Sequence, residues 1–376
     1  MMLHGLKTAN FMFRHTDTIS LPGFSLLVAP VVMHAFDACS RPMENLFTDS
    51  TFKDNLTSCV SQCKALRRER KMSVIDAIGN TPLVELTRIW NPDKTGVRIF
   101  AKLEGSNPGG SVKDRPAYYM LKQAIESGQL TPDKTILEPT SGNTGIGMAM
   151  IATALGFRIK LTMPACVSEE RRSILTALGA ELELTPGCDK TDGAIMRAHH
   201  IMEKFGDTYY MPNQFANPAN WLSHYETTAP EIVRDTKGEA DVFVAGMGTT
   251  GTLMGCSRYF REHHPRTKVV GIEPVLNHRI QGLKNMQESI VPPIYEPGLL
   301  DKKIVCKDDD AFENFRDLAL REGLFSGLSS GAALWGAMDV AKDLPRGSTV
   351  VVLFADRGDR YLSTEAFRSV CALCPP

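Results

Sequence analysis

Short runs of aliphatic and β-branched residues recur along the second part of the chain, and helical patterns separate several of them. The periodic apolar positions at 169–178 and 252–261 predict two of these helices. Buried strands are predicted for five runs: 159–163, 180–184, 241–245, 268–272 and 349–354. Strands that alternate with helices favour mostly parallel sheets covered on both faces, so the predicted fold class is α/β.

One segment, 145–155, is apolar almost all the way round. Its sequence GIGMAMIATAL follows a Gly-Asn-Thr turn at 142–144. A helix that is hydrophobic on every side is buried. We therefore expect a core helix whose first turn faces a cleft.

Residues 1–72 have a different character from the rest. Their most apolar run, 21–36, is shorter than a membrane span and contains two prolines, which argues against a membrane anchor. Two basic residues, Lys7 and Arg14, precede the first acidic one and weakly resemble a targeting presequence. Alternatively, Met72 is the working start. The segment is interpreted as an extension that is disordered, organelle-targeting or misannotated.

Composition narrows the range of partners. The 376 residues carry a formal net charge of −1, with 43% hydrophobic and 23% charged residues, so neither nucleic-acid binding nor disorder is indicated. Small-molecule partners are expected, with no nucleic acid and no membrane. The nine cysteines are widely spread in a large chain, which fits a reducing, cytoplasmic location. The pairs Cys59/Cys63 and Cys371/Cys374 lie at opposite ends, so no metal site is expected.

A glycine-rich turn follows the predicted strand 241–245. Backbone N–H groups at a helix N-terminus bind phosphate, and the sequence AGMGTTGTLMG predicts such a phosphate loop. The same glycines match the G-x-G-x-x-G of a dinucleotide fold, with Glu273 placed as its ribose-binding acid. An NAD-binding dehydrogenase is therefore an alternative from another class. A tight strand–helix turn without a ligand is the structural alternative.

A second turn, EPTSGNTG, offers the hydroxyls of Thr140, Ser141 and Thr144 in front of the apolar helix. Such a group of donors suits a carboxylate, although ordinary helix capping explains it equally well. A third turn, GLSSG, matches G-x-S-x-G. No histidine follows Ser329 in the chain, so the serine-hydrolase interpretation is rejected. Ser329 and Ser330 are instead expected at a helix start, where they can face a ligand.

Lys113, in the sequence SVKDR, lies where a helix is expected to begin. A cation is disfavoured there because the helix dipole is positive at its N-terminus. An amine that forms a Schiff base with an aldehyde cofactor carries no ammonium charge, and a phosphate loop would hold the other end of that cofactor. The combination points to pyridoxal 5'-phosphate.

From IDAIGNTPL (75–83) to DRGDRYLST (356–364), the chain resembles the cysteine synthase (O-acetylserine sulfhydrylase) and cystathionine β-synthase family. These are fold type II pyridoxal-phosphate enzymes with a tryptophan synthase β-like fold of two three-layer αβα subdomains. The resemblance implies a catalytic domain at 73–366. Its larger subdomain would comprise 73–110 and 218–366, its smaller mobile one 111–217, and a tail would follow at 367–376.

The resemblance also assigns roles to residues. It makes Lys113 the Schiff-base lysine and Asn143 the partner of the cofactor's ring hydroxyl, and it places Ser329 at the pyridine nitrogen. The phosphate would be held by Gly248, Thr249, Thr250, Gly251 and Thr252. The substrate carboxylate would be held by Thr140, Ser141, Gly142, Thr144 and Gln214. The family usually has glycine where this chain has Thr250, and threonine would be strained there if φ is positive.

The implied activity is cysteine synthase. O-acetyl-L-serine and sulfide would give L-cysteine and acetate through an aminoacrylate intermediate, in a homodimer. Cystathionine β-synthase activity is one alternative. Another is use of O-phosphoserine, because Arg279 and Lys284 lie where phosphoserine-preferring synthases carry a basic residue. A catalytically silent relative would keep the fold, and Thr250 is the one visible departure pointing that way.

Overall fold

The computed structural model describes residues 73–140 and 142–364. The strands formed in these residues are β1 (Leu83–Glu85), β2 (Arg98–Leu103), β3 (Thr135–Pro139), β4 (Arg158–Pro164), β5 (Glu181–Thr185), β6 (Tyr209–Tyr210), β7 (Val242–Gly246), β8 (Lys268–Pro274), β9 (Lys302–Cys306) and β10 (Thr349–Phe354). The α-helices are α1 (Pro92–Thr95), α2 (Asp114–Glu126), α3 (Asn143–Leu155), α4 (Glu169–Ala177), α5 (Lys190–Phe205), α6 (Pro218–Ser223), α7 (Ala229–Asp235), α8 (Gly251–His263), α9 (Asp308–Asp317) and α10 (Leu328–Ala341).

The strands form two sheets. The larger has the order β1-β2-β10-β7-β8-β9, and only its edge strand β1 runs antiparallel to its neighbour. The smaller has the order β5-β4-β3-β6 and is parallel throughout. Parallel neighbours need a crossover connection, which is usually a helix, so strand and helix alternate along the chain.

Alternate residues of the central strand β10 enter two different cores. Val350 and Val352 pack with α10 on one face, whereas Val351 and Leu353 pack with α8 on the other. All six residues of β10 are buried, because helices cover both faces of a parallel sheet. A strand buried on both sides is selected for a continuous aliphatic run, which explains the sequence TVVVLF at 349–354.

The predicted α/β class is confirmed, and so are the five predicted strands and the helices predicted at 145–155, 169–178 and 252–261. The subdomain boundaries at 110 and 217 stay a prediction. The extension 1–72 and the tail 367–376 lie outside the described residues. Within 73–140 and 142–364, no helix combines the length and the apolar character that a membrane crossing requires.

Candidate active site

A cavity of about 1030 Å³ opens at the carboxyl ends of strands from both sheets. Ends of parallel strands are where α/β folds bind ligands. Nine of the predicted site residues line it: Lys113, Thr140, Asn143, Thr144, Gln214, Gly248, Thr249, Thr252 and Ser329. The lining does not include Gly142, Thr250 or Gly251, and Ser141 lies outside the described residues. The structure thus gathers most of the predicted set in one place, while the individual roles stay predictions.

Lys113 immediately precedes α2 and is half-buried. Its Nζ lies 3.4 Å from the Oγ1 of Thr249 in the predicted phosphate loop. Burial lowers the pKa of the Lys113 amine to about 8, and the Asp356 carboxylate opposes that shift. More of this amine is therefore uncharged near neutral pH than for an ordinary lysine, and the uncharged form is the nucleophile.

A buried ion network fixes the start of α2, and sequence reasoning missed it. Arg115 donates from Nε to Glu104 at 2.7 Å and from Nη1 to Glu231 at 2.7 Å. Its Nη2 contacts both carboxylates as well. Lys102 joins the network through a 2.8 Å contact with Glu231. Because Arg115 is two residues from Lys113, the network holds the backbone that carries the reactive amine.

The predicted phosphate loop connects β7 to α8, and two of its glycines have no room for a side chain. A Cβ at Gly248 would lie 2.8 Å from the carbonyl oxygen of Gly282, and one at Gly251 only 2.0 Å from the Oδ1 of Asn220. Thr250 has φ +67°, so the strain expected at this position is confirmed. Its buried hydroxyl has no hydrogen-bond partner among the described residues.

The turn EPTSGNTG, which is predicted to bind the substrate carboxylate and is called the carboxylate turn below, lies at the start of α3. The Thr140 hydroxyl oxygen accepts from the N–H groups of Gly142 at 3.0 Å and Gly145 at 3.3 Å. One hydroxyl of the turn therefore does satisfy an N–H group in the first turn of α3. Thr144 instead donates to the Oε1 of Gln214 at 2.6 Å. Gly142 has φ +144°, a conformation that only glycine adopts readily. The side chains of Thr144 and Gln214 are thereby aligned at the cavity wall.

Gln214 is held by a buried carboxyl group that sequence reasoning missed. Glu138, in β3, accepts from the N–H of Gln214 at 2.9 Å and from that of Asn213 at 2.8 Å. Burial raises the pKa of Glu138 to about 7, although these donors oppose the shift. Asn220 then bridges the carbonyl oxygen of Gln214 (2.6 Å) and Thr249 (3.3 Å). The carboxylate turn and the phosphate loop are therefore joined by hydrogen bonds.

The Asn143 amide is fixed by the last described segment of the chain. Its Nδ2 donates to the Oδ2 of Asp356 at 2.6 Å, and the Tyr361 hydroxyl donates to the same oxygen at 2.6 Å. Arg360 donates to the side-chain Oδ1 of Asn143 and also to the backbone carbonyl oxygen of Gly109. These three partners belong to the sequence DRGDRYLST, whose match to the family was visible but gave no separate function to each residue.

The residues that border the cavity fit pyridoxal 5'-phosphate. An amine of lowered pKa, a glycine-walled loop at a helix N-terminus, a fixed amide at Asn143 and a neutral hydroxyl at Ser329 all border one cavity. Ser329 is the second residue of α10, as the helix-start prediction required. A hydroxyl there, unlike a carboxylate, does not enforce protonation of a ring nitrogen.

Residues proposed for other functions lie elsewhere. Glu273 pairs with Lys303 at 2.7 Å and accepts from the N–H of Met286, and it does not line the cavity, so a dinucleotide site lacks its acid. The adjacent histidines His199 and His200 are exposed on α5. In the part of the chain that the structure describes, no cluster of three metal-binding side chains is found.

Comparison with known proteins agrees with this geometry. Residues 74–356 match the family described as pyridoxal-phosphate dependent enzyme. Cysteine synthase of Aquifex aeolicus is 42% identical over 80% of this chain and 93% of its own, and cysteine synthase B of Salmonella typhimurium is 46% identical over 77% and 94%. The crystal structure of an O-ureido-L-serine synthase has a TM-score of 0.75 and 39% identity over 80% of this chain and 96% of its own.

Fold and site together define a fold type II pyridoxal-phosphate dependent enzyme. The identity to curated relatives over most of both chains narrows the class further. The chain belongs to the cysteine synthase family.

Proposed function

We propose that the protein is a cysteine synthase that converts O-acetyl-L-serine and sulfide into L-cysteine and acetate. The observation that carries the proposal is the position of Lys113. Its amine, with a pKa of about 8, lies 3.4 Å from the phosphate loop and borders the same cavity as the carboxylate turn. An amino acid held by that turn can therefore present its α-carbon to this amine.

Each residue has a task in the proposed reaction. Bound pyridoxal phosphate supplies an electron sink for the α-carbon of an amino acid and so acidifies its Cα–H bond and favours loss of a group at Cβ. The Lys113 Nζ takes the Cα proton and later returns it. Thr144 and Gln214 orient the substrate carboxylate, and Asn143 and Ser329 border the cofactor ring. The sulfur nucleophile then takes the place of acetate at Cβ.

Exclusion of water is part of the proposal, since water would compete with the sulfur nucleophile. Two contacts cross the mouth of the cavity: Arg171 donates to Gln281, and Lys284 lies 3.3 Å from Asp192. Both join the proposed small subdomain, 111–217, to a loop of the large one. We propose that the contact between Lys284 and Asp192 forms and breaks as the subdomain opens and closes.

A second donor, O-phospho-L-serine, is favoured by one specific observation. Lys284 lines the cavity, and its Nζ is 5.1 Å from the Phe215 ring centroid, so its cation faces the substrate region. Arg279, the other basic residue considered, lies 3.2 Å from Asp308. Lys284 is thus the residue to test for phosphoester recognition. Cystathionine synthesis from serine and homocysteine is the remaining variant of the same chemistry.

The test offers cofactor-loaded protein three donors, O-acetyl-L-serine, O-phospho-L-serine and L-serine, each with sulfide or homocysteine, and identifies the product by mass spectrometry. We expect L-cysteine from O-acetyl-L-serine and sulfide, and a loss of about 10³-fold or more in Lys113→Ala. Unchanged turnover in Lys113→Ala, or no β-replacement by a loaded enzyme, would contradict the proposal. Loss of O-phosphoserine use alone in Lys284→Ala would establish the second donor.

The proposal includes a cytoplasmic homodimer, as the family resemblance implies. Free cysteines at 166, 188, 256 and 306 are compatible with a reducing compartment. Light scattering of the full chain should give twice the monomer mass, and a monomer mass at micromolar concentration would reject the dimer.

A further inference from the structure

Arg171, in the first turn of α4, is a buried cation without a counter-ion among the described residues. Its side chain is only 3% exposed, and no carboxylate in 73–140 or 142–364 forms an ion pair with it. It donates to the neutral amide oxygen of Gln281 and lies over the Tyr361 ring at 4.7 Å, while its Nε has no hydrogen-bond partner in the part of the chain that the structure describes. Buried charges are normally paired, because an unpaired one is strongly disfavoured. The described residues around the Arg171 guanidinium therefore supply no anion to balance its charge.

The position of Arg171 indicates which anion is missing. It lines the cavity, and a Cβ at Gly142 would lie 2.4 Å from its Cδ and 2.8 Å from its Nε. Gly142 is the N-cap residue of α3, and the N-terminus of this helix also favours negative charge. Thr140 and Thr144, the hydroxyl residues of the carboxylate turn, border the same cavity. The guanidinium thus lies directly against the turn that would receive a carboxylate.

The other basic residues considered at this cavity differ from Arg171. Lys284 is paired with Asp192 and Arg279 with Asp308. Both therefore have carboxylate partners in the described chain. Arg171 has a buried Nε–H group without an acceptor among the described residues, and the present acceptor of its Nη1, the Gln281 amide, is neutral.

We infer that Arg171 binds the α-carboxylate of the amino-acid substrate and supplies the positive charge that the hydroxyls of the turn lack. The inference rests on the proposed function, since it assumes that an amino acid occupies the cavity. Substrate entry would replace the Gln281 oxygen by a charged acceptor, and the Tyr361 ring would hold the guanidinium plane in place.

The test compares two ligands that differ in the charge of one group. L-alanine and L-alaninamide are titrated into cofactor-loaded protein by calorimetry, which reads binding and not turnover. Arg171→Gln should weaken L-alanine at least about 10-fold and L-alaninamide less than about 2-fold, because only the acid loses an ionic partner. Arg171→Lys should restore part of the L-alanine affinity. Arg172→Gln removes the same charge from the neighbouring position of α4 and should change neither.

The contrary outcomes are distinct. Equal weakening of both ligands would mean that Arg171 has a structural role only, and no weakening of either would make it a bystander. Titrations of acetate and inorganic phosphate complete the design. If Arg171→Gln weakens those anions but leaves L-alanine unchanged, the guanidinium serves the leaving group, and the inference is overturned. If the loaded wild-type protein binds neither amino-acid ligand, the proposed function itself fails.

Discussion

Two arginines, Arg115 and Arg171, are equally buried in this protein and differently paired. Arg115, 1% exposed, contacts two carboxylates, Glu104 and Glu231, through three of its nitrogens. Arg171, 3% exposed, has a neutral amide and an aromatic ring as neighbours. Arg115 is not part of the cavity lining and fixes the start of α2, directly after Lys113, whereas Arg171 lines the cavity itself.

The contrast separates charges that fold the chain from groups that wait for a ligand. A charge placed for folding is satisfied within the chain, because leaving it unpaired would destabilise the native state. A charge placed for binding stays unsatisfied until the ligand arrives. The Oδ1 atoms of Asn220 and Asp356, both buried close to predicted site residues, likewise have no hydrogen-bond partner within 73–140 and 142–364.

The sharpest test of this contrast is to replace each arginine by methionine. Arg115→Met should lower the free energy of unfolding by about 3–5 kcal/mol, because the buried Glu104 carboxylate loses its ion-pair partner and Glu231 keeps only Lys102. Arg171→Met should change it by less than about 1 kcal/mol or raise it, because no partner is left uncompensated. Urea unfolding of the cofactor-free protein measures both. Equal losses in the two variants would remove the distinction.

A second test concerns Glu138, a buried carboxyl group that is satisfied by the chain and still coupled to binding. Its pKa is raised to about 7 by burial, against two N–H donors. Below pH 7 the Glu138 carboxylate would be protonated, and one of its two accepting oxygens would become an O–H donor that faces an N–H group. Gln214 would then lose the hydrogen bonding that holds its backbone in place. We expect KM for the amino-acid donor to rise as pH falls through 7. Glu138→Gln should raise KM about 10-fold throughout and abolish that pH dependence.

A loss of folded protein at low pH cannot explain the expected rise in KM. Because the folded-state pKa of Glu138 is raised, its ionised form destabilises the fold above pH 7, and the free energy of unfolding increases as pH falls from 7 towards 4.5. Asp114, the residue after Lys113, provides the matched control. Burial also raises its pKa to about 7, and its carboxylate accepts a hydrogen bond from the N–H of Gly109. If Asp114→Asn, and not Glu138→Gln, removes the pH dependence of KM, the assignment to Glu138 is wrong.

Local sequence patterns predicted those parts of the molecule that depend on local chemistry. A strand buried on both faces must be an aliphatic run, and a loop with no space for Cβ must contain glycine, so β10 and the 248–252 loop were recognisable. Lys113 was recognisable because a cation at a helix start is out of place.

The remaining parts depend on pairs that are distant in sequence. Arg115 and Glu231 are separated by 116 positions, and Arg171 meets Gln281 across 110. No periodicity links such residues, and whether an arginine is paired is not visible along the chain. The sequence therefore predicted turns that the structure gathers at one cavity, but not Asn220, which joins two of them, nor the lack of a counter-ion for Arg171 among the described residues.

The smallest expected effect concerns Thr250, which extends the contrast to a neutral group. It combines φ +67° with a buried hydroxyl that has no partner in the described chain. Each feature is unfavourable, so Thr250→Gly should stabilise the cofactor-free protein by about 1 kcal/mol, after allowance for the greater freedom of glycine when unfolded. Thermal unfolding measures this. Lys237→Gly, at an exposed residue with φ +56°, is the control for backbone strain alone and should gain less.

The variant Thr250→Gly also shows whether the Thr250 hydroxyl meets a ligand or has no partner in either state. If the gain in stability persists when pyridoxal phosphate is bound, the threonine is a tolerated departure from the glycine usual in the family, and its hydroxyl has no ligand to meet. If Thr250→Gly stabilises the cofactor-free protein but binds the cofactor more weakly, the hydroxyl gains a partner on binding. Thr250 would then resemble Arg171, a buried group for which the described chain offers no matching partner and a ligand does.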